Sequence, residues 1–289
     1  MKTLAYEIVD VFTDRPFTGN PLAVVFGADG LAKDQMQALA REFNLSETVF
    51  ILPSTAGATY RARIFTPVEE LPFAGHPSVG AAVTITRLGL AAVGPVVQEC
   101  GAGLLPIEVY GDGRATLTGG QPTVGGEIDP GPLLASVGLS TEDYAGPAPR
   151  LAGCGLEWTY LPVRPEAVAR AAIDASAARA HGVGGVSVFA WDSGASTAHA
   201  RVFVPGLGVP EDPATGSAAL GLGVWLVASG LVPGEGESAY TIKQGAELHR
   251  PSTLDCTVTA GSGVAVRATV SGHVVPVAKG EIAVPPFVG

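Results

Sequence analysis

Between Pro213 and Gly234 the chain carries no Asp, Glu, Lys or Arg. A stretch of that length reaches the ~20 apolar residues that can span a bilayer, so its fate constrains the whole fold. Gly216, Gly221, Gly223, Gly230 and Pro233 interrupt it, and Glu211, Asp212 and Glu235 flank it with no Lys/Arg cluster nearby. The segment reads instead as a helix from about Gly216 to Ser229 that is apolar on every side. Such a helix must be enclosed by other elements. A second uncharged stretch, His76 to Thr86, repeats the requirement. It reads as a helix starting at Pro77, where a missing N–H costs nothing, and ending before Gly89.

Strand patterns surround both helices. Ala5–Thr13, Leu22–Phe26, Glu47–Leu52 and Tyr60–Thr66 precede the first; Val186–Trp191 and Ala200–Val204 precede the second. Short strands follow each, from Gly94 to about Thr123 and then over Asp255–Thr259, Val264–Val270 and His273–Val277. Ala32–Phe43 reads as an amphipathic helix, and Pro165–Arg179 as an alanine-rich surface helix. Each half thus has strands, a Pro/Gly loop with acids, a core helix and more strands, although no close sequence identity links the halves. At 289 residues the chain has room for two domains at ~150 residues each. The expected division is 1–120, completed by a C-terminal strand over 276–289, and 121–275. Enclosing each apolar helix with strands on every side is one economical solution, so the expected class is α+β.

Charge excludes some functions. With 17 basic and 27 acidic residues the net charge is −10 and no basic run exists, so nucleic acid is not an expected partner. Three dispersed cysteines give neither a disulfide framework nor a zinc knuckle. The first ten residues reach Glu7 without an apolar h-region, so no secretory signal is expected there, and the expectation is a cytoplasmic chain outside the membrane. His181, His199, His249 and His273 have no ligand-spaced partners, so no metal is expected; Trp158, Trp191 and Trp225 are expected in the core.

Two loops lead into the core helices: Glu69-Glu70-Leu71-Pro72-Phe73-Ala74-Gly75-His76-Pro77 and Glu211-Asp212-Pro213-Ala214-Thr215-Gly216-Ser217. A helix N-terminus presents unpaired N–H groups and a partial positive charge, and glycine admits a ligand to the backbone. Two such ends across a domain cleft would suit an anionic substrate or a developing enolate. Taken singly, each has a plainer structural reading: Gly-His-Pro as a turn, Asp212 or Thr215 as a helix cap, Glu47 as a turn acid, Asn20 as a turn residue. Walker A, dinucleotide-binding, His-Glu-x-x-His and Gly-x-Ser-x-Gly patterns are absent.

Taken together, the motifs resemble one family. Phe17-Thr18-Gly19-Asn20-Pro21-Leu22-Ala23-Val24, Asn44-Leu45-Ser46-Glu47-Thr48-Val49-Phe50, Phe73-Ala74-Gly75-His76-Pro77, Glu211-Asp212-Pro213-Ala214-Thr215-Gly216-Ser217-Ala218, and Lys243-Gln244-Gly245 with Arg250-Pro251-Ser252 resemble the PhzF family, in its order and over nearly the whole chain. The resemblance implies the diaminopimelate epimerase-like fold, two similar domains that are each a barrel-like strand shell around a central α-helix, with the active site between them and a homodimer as the assembly. It also implies a cofactor- and metal-free isomerase acting on a small carboxylated metabolite like trans-2,3-dihydro-3-hydroxyanthranilate. The family's catalytic residues fall on Glu47, His76 and Asp212, and its substrate-binding residues on Asn20, Gly75, Gly216 and Ser217. The epimerase branch of the fold uses one cysteine at each central helix. Here those positions hold His76 and Ser217, which disfavours a two-thiol mechanism. Ser78 stands where threonine is frequent.

Allylic isomerisation removes a proton at one carbon and returns it at another, which one desolvated carboxylate can do. Glu47 is the expected shuttle, with Leu45, Val49 and Phe50 as its apolar surroundings. A non-catalytic small-ligand binder, and an epimerase or hydrolase on another amino-acid-derived intermediate, remain as alternatives.

Overall fold

The computed structural model describes residues 2–205 and 210–286; residues 206–209 of the expected loop 205–215, and 287–289 of the expected C-terminal strand, lie outside them. The chain forms two compact units, 1–117 with 271–289, and 118–270. No helix among the described residues is long and apolar enough to cross a membrane.

The first unit contains β1 (Thr3–Val11), β2 (Asn20–Phe26), α1 (Lys33–Phe43), β3 (Glu47–Leu52), β4 (Tyr60–Phe65), β5 (Glu70–Leu71), α2 (Gly75–Arg87), β6 (Gly94–Cys100), β7 (Gly103–Val109) and β8 (Arg114–Thr118). Helix α2 packs on β1, β2, β3, β4, β6 and β7, so strands enclose it. It is buried from Gly75 to Ile85, which is why its sequence needs no polar face. Gly80 is required by this enclosure: a Cβ there would lie 2.5 Å from Leu22 Cδ2. The outer face of the sheet is covered by α1, whose Met36, Leu39 and Ala40 pack with Phe50, Phe65 and Val25.

The second unit contains β9 (Pro122–Glu127), α3 (Pro130–Ser136), β10 (Arg150–Cys154), β11 (Glu157–Pro162), α4 (Pro165–Val168), α5 (Ala175–Ala180), β12 (Val186–Asp192), β13 (Thr197–Phe203), β14 (Glu211–Asp212), α6 (Gly216–Ala228), β15 (Gly236–Gln244) and β16 (Ser252–Gly261). The long β17 (Val264–Ala283) gives its residues to Val270 to this unit and the rest to the first. Helix α6 packs on β9, β10, β11 and β16 and is buried from Gly216 to Val227, so the uncharged run is a core helix.

The two units share one plan, and the strand registers align their sequences. In the first, β2 pairs parallel with β3, β3 antiparallel with β4, β4 antiparallel with β5 and parallel with β6. In the second, β11, β12, β13, β14 and β15 repeat those pairings in that order. Phe65 pairs with Glu70 as Phe203 pairs with Glu211. The Arg63 guanidinium grips Glu70 with two nitrogens, at 2.7 and 2.9 Å, and lies 5.2 Å from the Phe65 ring; Arg201 grips Glu211 at 2.8 and 2.6 Å and lies 5.0 Å from Phe203. The halves are therefore matched residue by residue at this corner, although sequence comparison alone did not link them.

Three expectations are corrected. The segment Pro165–Arg179 is not one surface helix. It breaks into α4 and α5 because Arg201 Nη1 donates to the carbonyls of Val168, Ala169 and Ala171, and the Asp174 carboxylate caps α5 by accepting from the N–H groups of Ser176 and Ala177. The strands around Val264–Val270 and His273–Val277 are one strand, and Gly272 is a packing residue rather than a turn: a Cβ there would lie 2.3 Å from Phe12 Cδ1. Helix α2 begins at Gly75, two residues before Pro77, which places His76 in its first turn.

Candidate functional site

In the first unit three candidate residues converge at the start of α2. Gly19 has φ +68°, and a Cβ there would lie 2.4 Å from the Val11 carbonyl oxygen, so only glycine lets the chain enter β2 at this point. That turn puts the next residue, Asn20, fully inside, with its Nδ2 3.2 Å from His76 Nδ1. The amide donates, so Nδ1 accepts and the imidazole proton sits on Nε2. Nε2 in turn lies 3.5 Å from Oε2 of Glu47, the first residue of β3. His76 is 3% exposed, and burial holds its pKa down at about 3. The imidazole is therefore neutral, and its approach to Glu47 is that of an N–H edge to a carboxyl group rather than an ion pair.

Glu47 is half-buried and shares the inner face of β3 with fully buried Val49. Phe50 faces the other way, into the α1 core, so it does not form the apolar surroundings expected for Glu47. Behind α2 a buried chain fixes the first turn: Tyr60 Oη donates to Gln98 Oε1, Gln98 Nε2 to Ser78 Oγ, and Ser78 Oγ to the Ala74 carbonyl, each at 2.8 Å. The Ser78 hydroxyl thus serves this chain.

In the second unit Asp212 lies in the two-residue strand β14, at the register position that Leu71 holds in β5. Its Oδ2 accepts from Thr215 Oγ1 at 2.6 Å. Gln244 clamps the loop from behind: its Nε2 donates to the Asp212 carbonyl at 2.7 Å and to Thr215 Oγ1 at 3.2 Å, and its Oε1 accepts from Thr215 N–H at 3.2 Å. Ser252 Oγ donates to the Pro213 carbonyl, and Gly245, at φ +80°, passes too close to the carbonyls of Pro213 and Arg250 for a Cβ to fit. The Lys243-Gln244-Gly245 and Arg250-Pro251-Ser252 motifs are therefore the scaffold of the Asp212–Ser217 loop. Gly216 and Ser217 open α6 as Gly75 and His76 open α2, and neither helix has a side-chain cap. Ser217 Oγ accepts from Trp158 Nε1 at 3.1 Å. Trp225 is fully buried as expected, but Trp158 and Trp191 are only half-buried.

Burial pushes the Cys154 thiol up to about 12 and raises that of Cys256, so neither supplies a thiolate. His199 Nε2 lies 2.9 Å from Glu247 Oε1, a partner that spacing along the chain did not reveal. A cavity of about 320 Å³ in the first unit is lined by Arg61, Arg63, Glu70, Glu99 and Cys100, with none of the candidate site residues. Its guanidiniums already face Glu70 and Glu99.

The family model for phenazine biosynthesis-like proteins, PhzC-PhzF, matches residues 9–280. The chain belongs to this family. It is 37% identical, over 98% of its length and 99% of the relative's, to an uncharacterised isomerase of Mesorhizobium japonicum. It is 35% identical, over 96% of its length and 98% of the relative's, to the trans-2,3-dihydro-3-hydroxyanthranilate isomerase of Pseudomonas aeruginosa. Among solved structures, a PhzF-family phenazine biosynthesis protein of Bacillus anthracis superposes with a TM-score of 0.87 at 26% identity, covering 98% of this chain and 100% of that one. A probable proline racemase of Agrobacterium radiobacter gives a TM-score of 0.69 at 14% identity over 99% of this chain and 94% of that one, a likeness of fold alone. The α+β architecture is thus the one that the PhzF family shares with the racemases and epimerases, and the chain is a PhzF-type isomerase.

Proposed function

We propose that this chain isomerises a small carboxylated allylic substrate, such as trans-2,3-dihydro-3-hydroxyanthranilate, with Glu47 as the proton shuttle. The observation that carries the proposal is the contact of Glu47 with the Nε2–H edge of a desolvated, neutral His76, itself fixed by Asn20. The Glu47 carboxylate takes a proton from one carbon, the C–H electron pair moves through the adjacent double bond, and the new carboxylic acid returns the proton to the far end of the allylic system. The net change is a shift of one hydrogen and one double bond, and proton transfers by the chain's own residues account for it.

His76 donates a hydrogen bond from Nε2 to the substrate or to the Glu47 carboxylate without carrying a charge. Backbone N–H groups around Gly75, Gly216 and Ser217 bind the carboxylate or the developing oxyanion. Asp212, oriented by Thr215, holds the substrate's polar substituents. The three cysteines, all unpaired in the structure, suit a reducing cytoplasm.

The test is turnover of that substrate in D₂O, followed by NMR, with the wild type and Glu47→Gln. Positioned proton transfer is worth about 10²–10⁴-fold. The variant should lose that much in kcat, keep its substrate affinity, and stop incorporating deuterium at carbon. Near wild-type turnover by Glu47→Gln overturns the role of Glu47. Binding without exchange by the wild type overturns the assigned substrate.

A further inference from the structure

The registers give Glu47 a counterpart. Thr48 pairs with Phe65 in the first unit, and Val186 with Phe203 in the second. The residue before Thr48 is Glu47, and the residue before Val186 is Gly185. A Cβ on Gly185 would lie 2.4 Å from Cζ3 and 2.6 Å from Cε3 of Trp158. Where the first unit has a carboxylate side chain, the second has an indole lying against bare backbone.

Trp158 shares a face of β11 with Tyr160, whose hydroxyl donates to the Ala218 carbonyl of α6 at 2.7 Å. Tyr160 is fully buried, whereas Trp158, two residues nearer the start of the strand, is half-exposed beside the first turn of α6. An indole N–H only donates, so its bond to Ser217 fixes Oγ as the acceptor. Ser217 is 5% exposed, and among the described residues this is the sole hydrogen bond of its side chain. Its own hydroxyl proton is buried and unspent. The N–H groups of the first turn of α6 beside it have no side-chain cap: Thr215 Oγ1 donates to Asp212 and accepts from Gln244 instead. Donors without acceptors beside a partly exposed indole suit a flat ring bearing an anionic oxygen.

We propose that Trp158 is a specificity-determining residue: its indole face selects a planar, unsaturated six-membered ring, and its N–H aims the Ser217 hydroxyl at the ring's anionic substituent. This deepens the proposed function and rests on it for the identity of the reaction, but its test is a binding measurement that needs no turnover. Benzoate and cyclohexanecarboxylate carry the same charge on a flat and a puckered ring. Titrated calorimetrically into the full chain, benzoate should bind about fivefold tighter, the scale of an aromatic pair. Trp158→Leu should erase that preference. Trp158→Phe, which keeps a ring and lacks the N–H, should keep the preference and bind both acids more weakly. Glu47→Gln should leave the preference unchanged, so loss of turnover in that variant and loss of ring preference in Trp158→Leu report separately on the two readings. Equal affinity of the wild type for the two acids, no binding of either, or an unchanged preference in Trp158→Leu overturns the proposal.

Discussion

Between pH 7 and pH 5, the buried imidazole of His76 should make this protein lose stability as acid is added. His76 has an ordinary pKa near 6.5, and burial brings it to about 3 in the folded chain. As pH falls below 6.5 the unfolded chain takes up a proton that the folded chain refuses, so the contribution of His76 to stability, complete above 6.5, declines until about pH 3. Each pH unit in that window is worth about 1.4 kcal/mol, which gives a loss of about 2 kcal/mol between pH 7 and pH 5. The clean measurement is the difference between wild type and His76→Gln. Gln keeps an oxygen to accept from Asn20 and cannot titrate, whereas all other groups titrate in both proteins. Carboxylates held below their usual range, such as Glu99 at about 2, act at lower pH and cancel in the comparison. Urea unfolding followed by circular dichroism at pH 7, 6 and 5 should show the wild type falling by about 2 kcal/mol relative to His76→Gln over that range. Parallel curves for the two proteins would mean that His76 is not held neutral by burial, and the N–H donor role assigned to it would fail with it.

The duplicated corner supplies two further tests. Arg201→Met strands Glu211, whose side chain is 10% exposed, and frees three carbonyls, so it should cost about 3–5 kcal/mol in urea unfolding; Arg63→Met should cost clearly less, because Lys33 still faces Glu70 at 3.4 Å. Equal losses would contradict the difference in burial. Gly221→Ala would bring a Cβ within 2.3 Å of Tyr160 Oη and 2.9 Å of the Ala152 carbonyl and should cost about 2–4 kcal/mol, whereas Gly126→Ala, with open space around it, should stay within about 0.5 kcal/mol.

The two core helices were legible because burial on all sides leaves a direct trace in composition: no charge, many small residues. Asn20, in the first unit, was legible within a motif because the backbone before it requires a glycine, Gly19. What the sequence hid was non-local. The break between α4 and α5 depends on a guanidinium some thirty residues further along the chain, and no window of alanine-rich sequence contains that information. Gly272 resembles a turn until Phe12 is seen against it. The duplication escaped because the connection from Phe203 to Glu211 is three residues longer than that from Phe65 to Glu70, so the matched Arg, Phe, Glu and Gly fall out of step in the chain. Trp158 was expected in the core with the other two tryptophans; only its partial exposure and its bond to Ser217 mark it out.

The duplication also separates what packing demands from what chemistry demands. The arginine–glutamate grip, the arginine over phenylalanine and the glycine that opens the core helix recur in both units, and the grip ties two strands of each shell together. Had only packing acted, the residues at the helix starts would be free to match as well. They differ instead at three positions of the candidate site. His76 faces Ser217 in the alignment, Glu47 faces Gly185, and Leu71 faces Asp212. The first unit pairs its carboxyl group with a neutral N–H donor, an arrangement suited to moving a proton. The second pairs a hydroxyl-oriented aspartate with an indole-held serine, an arrangement suited to holding polar groups in place. A symmetric pair of bases would need two like groups at equivalent positions, as a two-thiol racemase has. This chain breaks that equivalence at all three positions, which supports the proposal that the proton shuttle belongs to one unit and the hold on polar groups to the other.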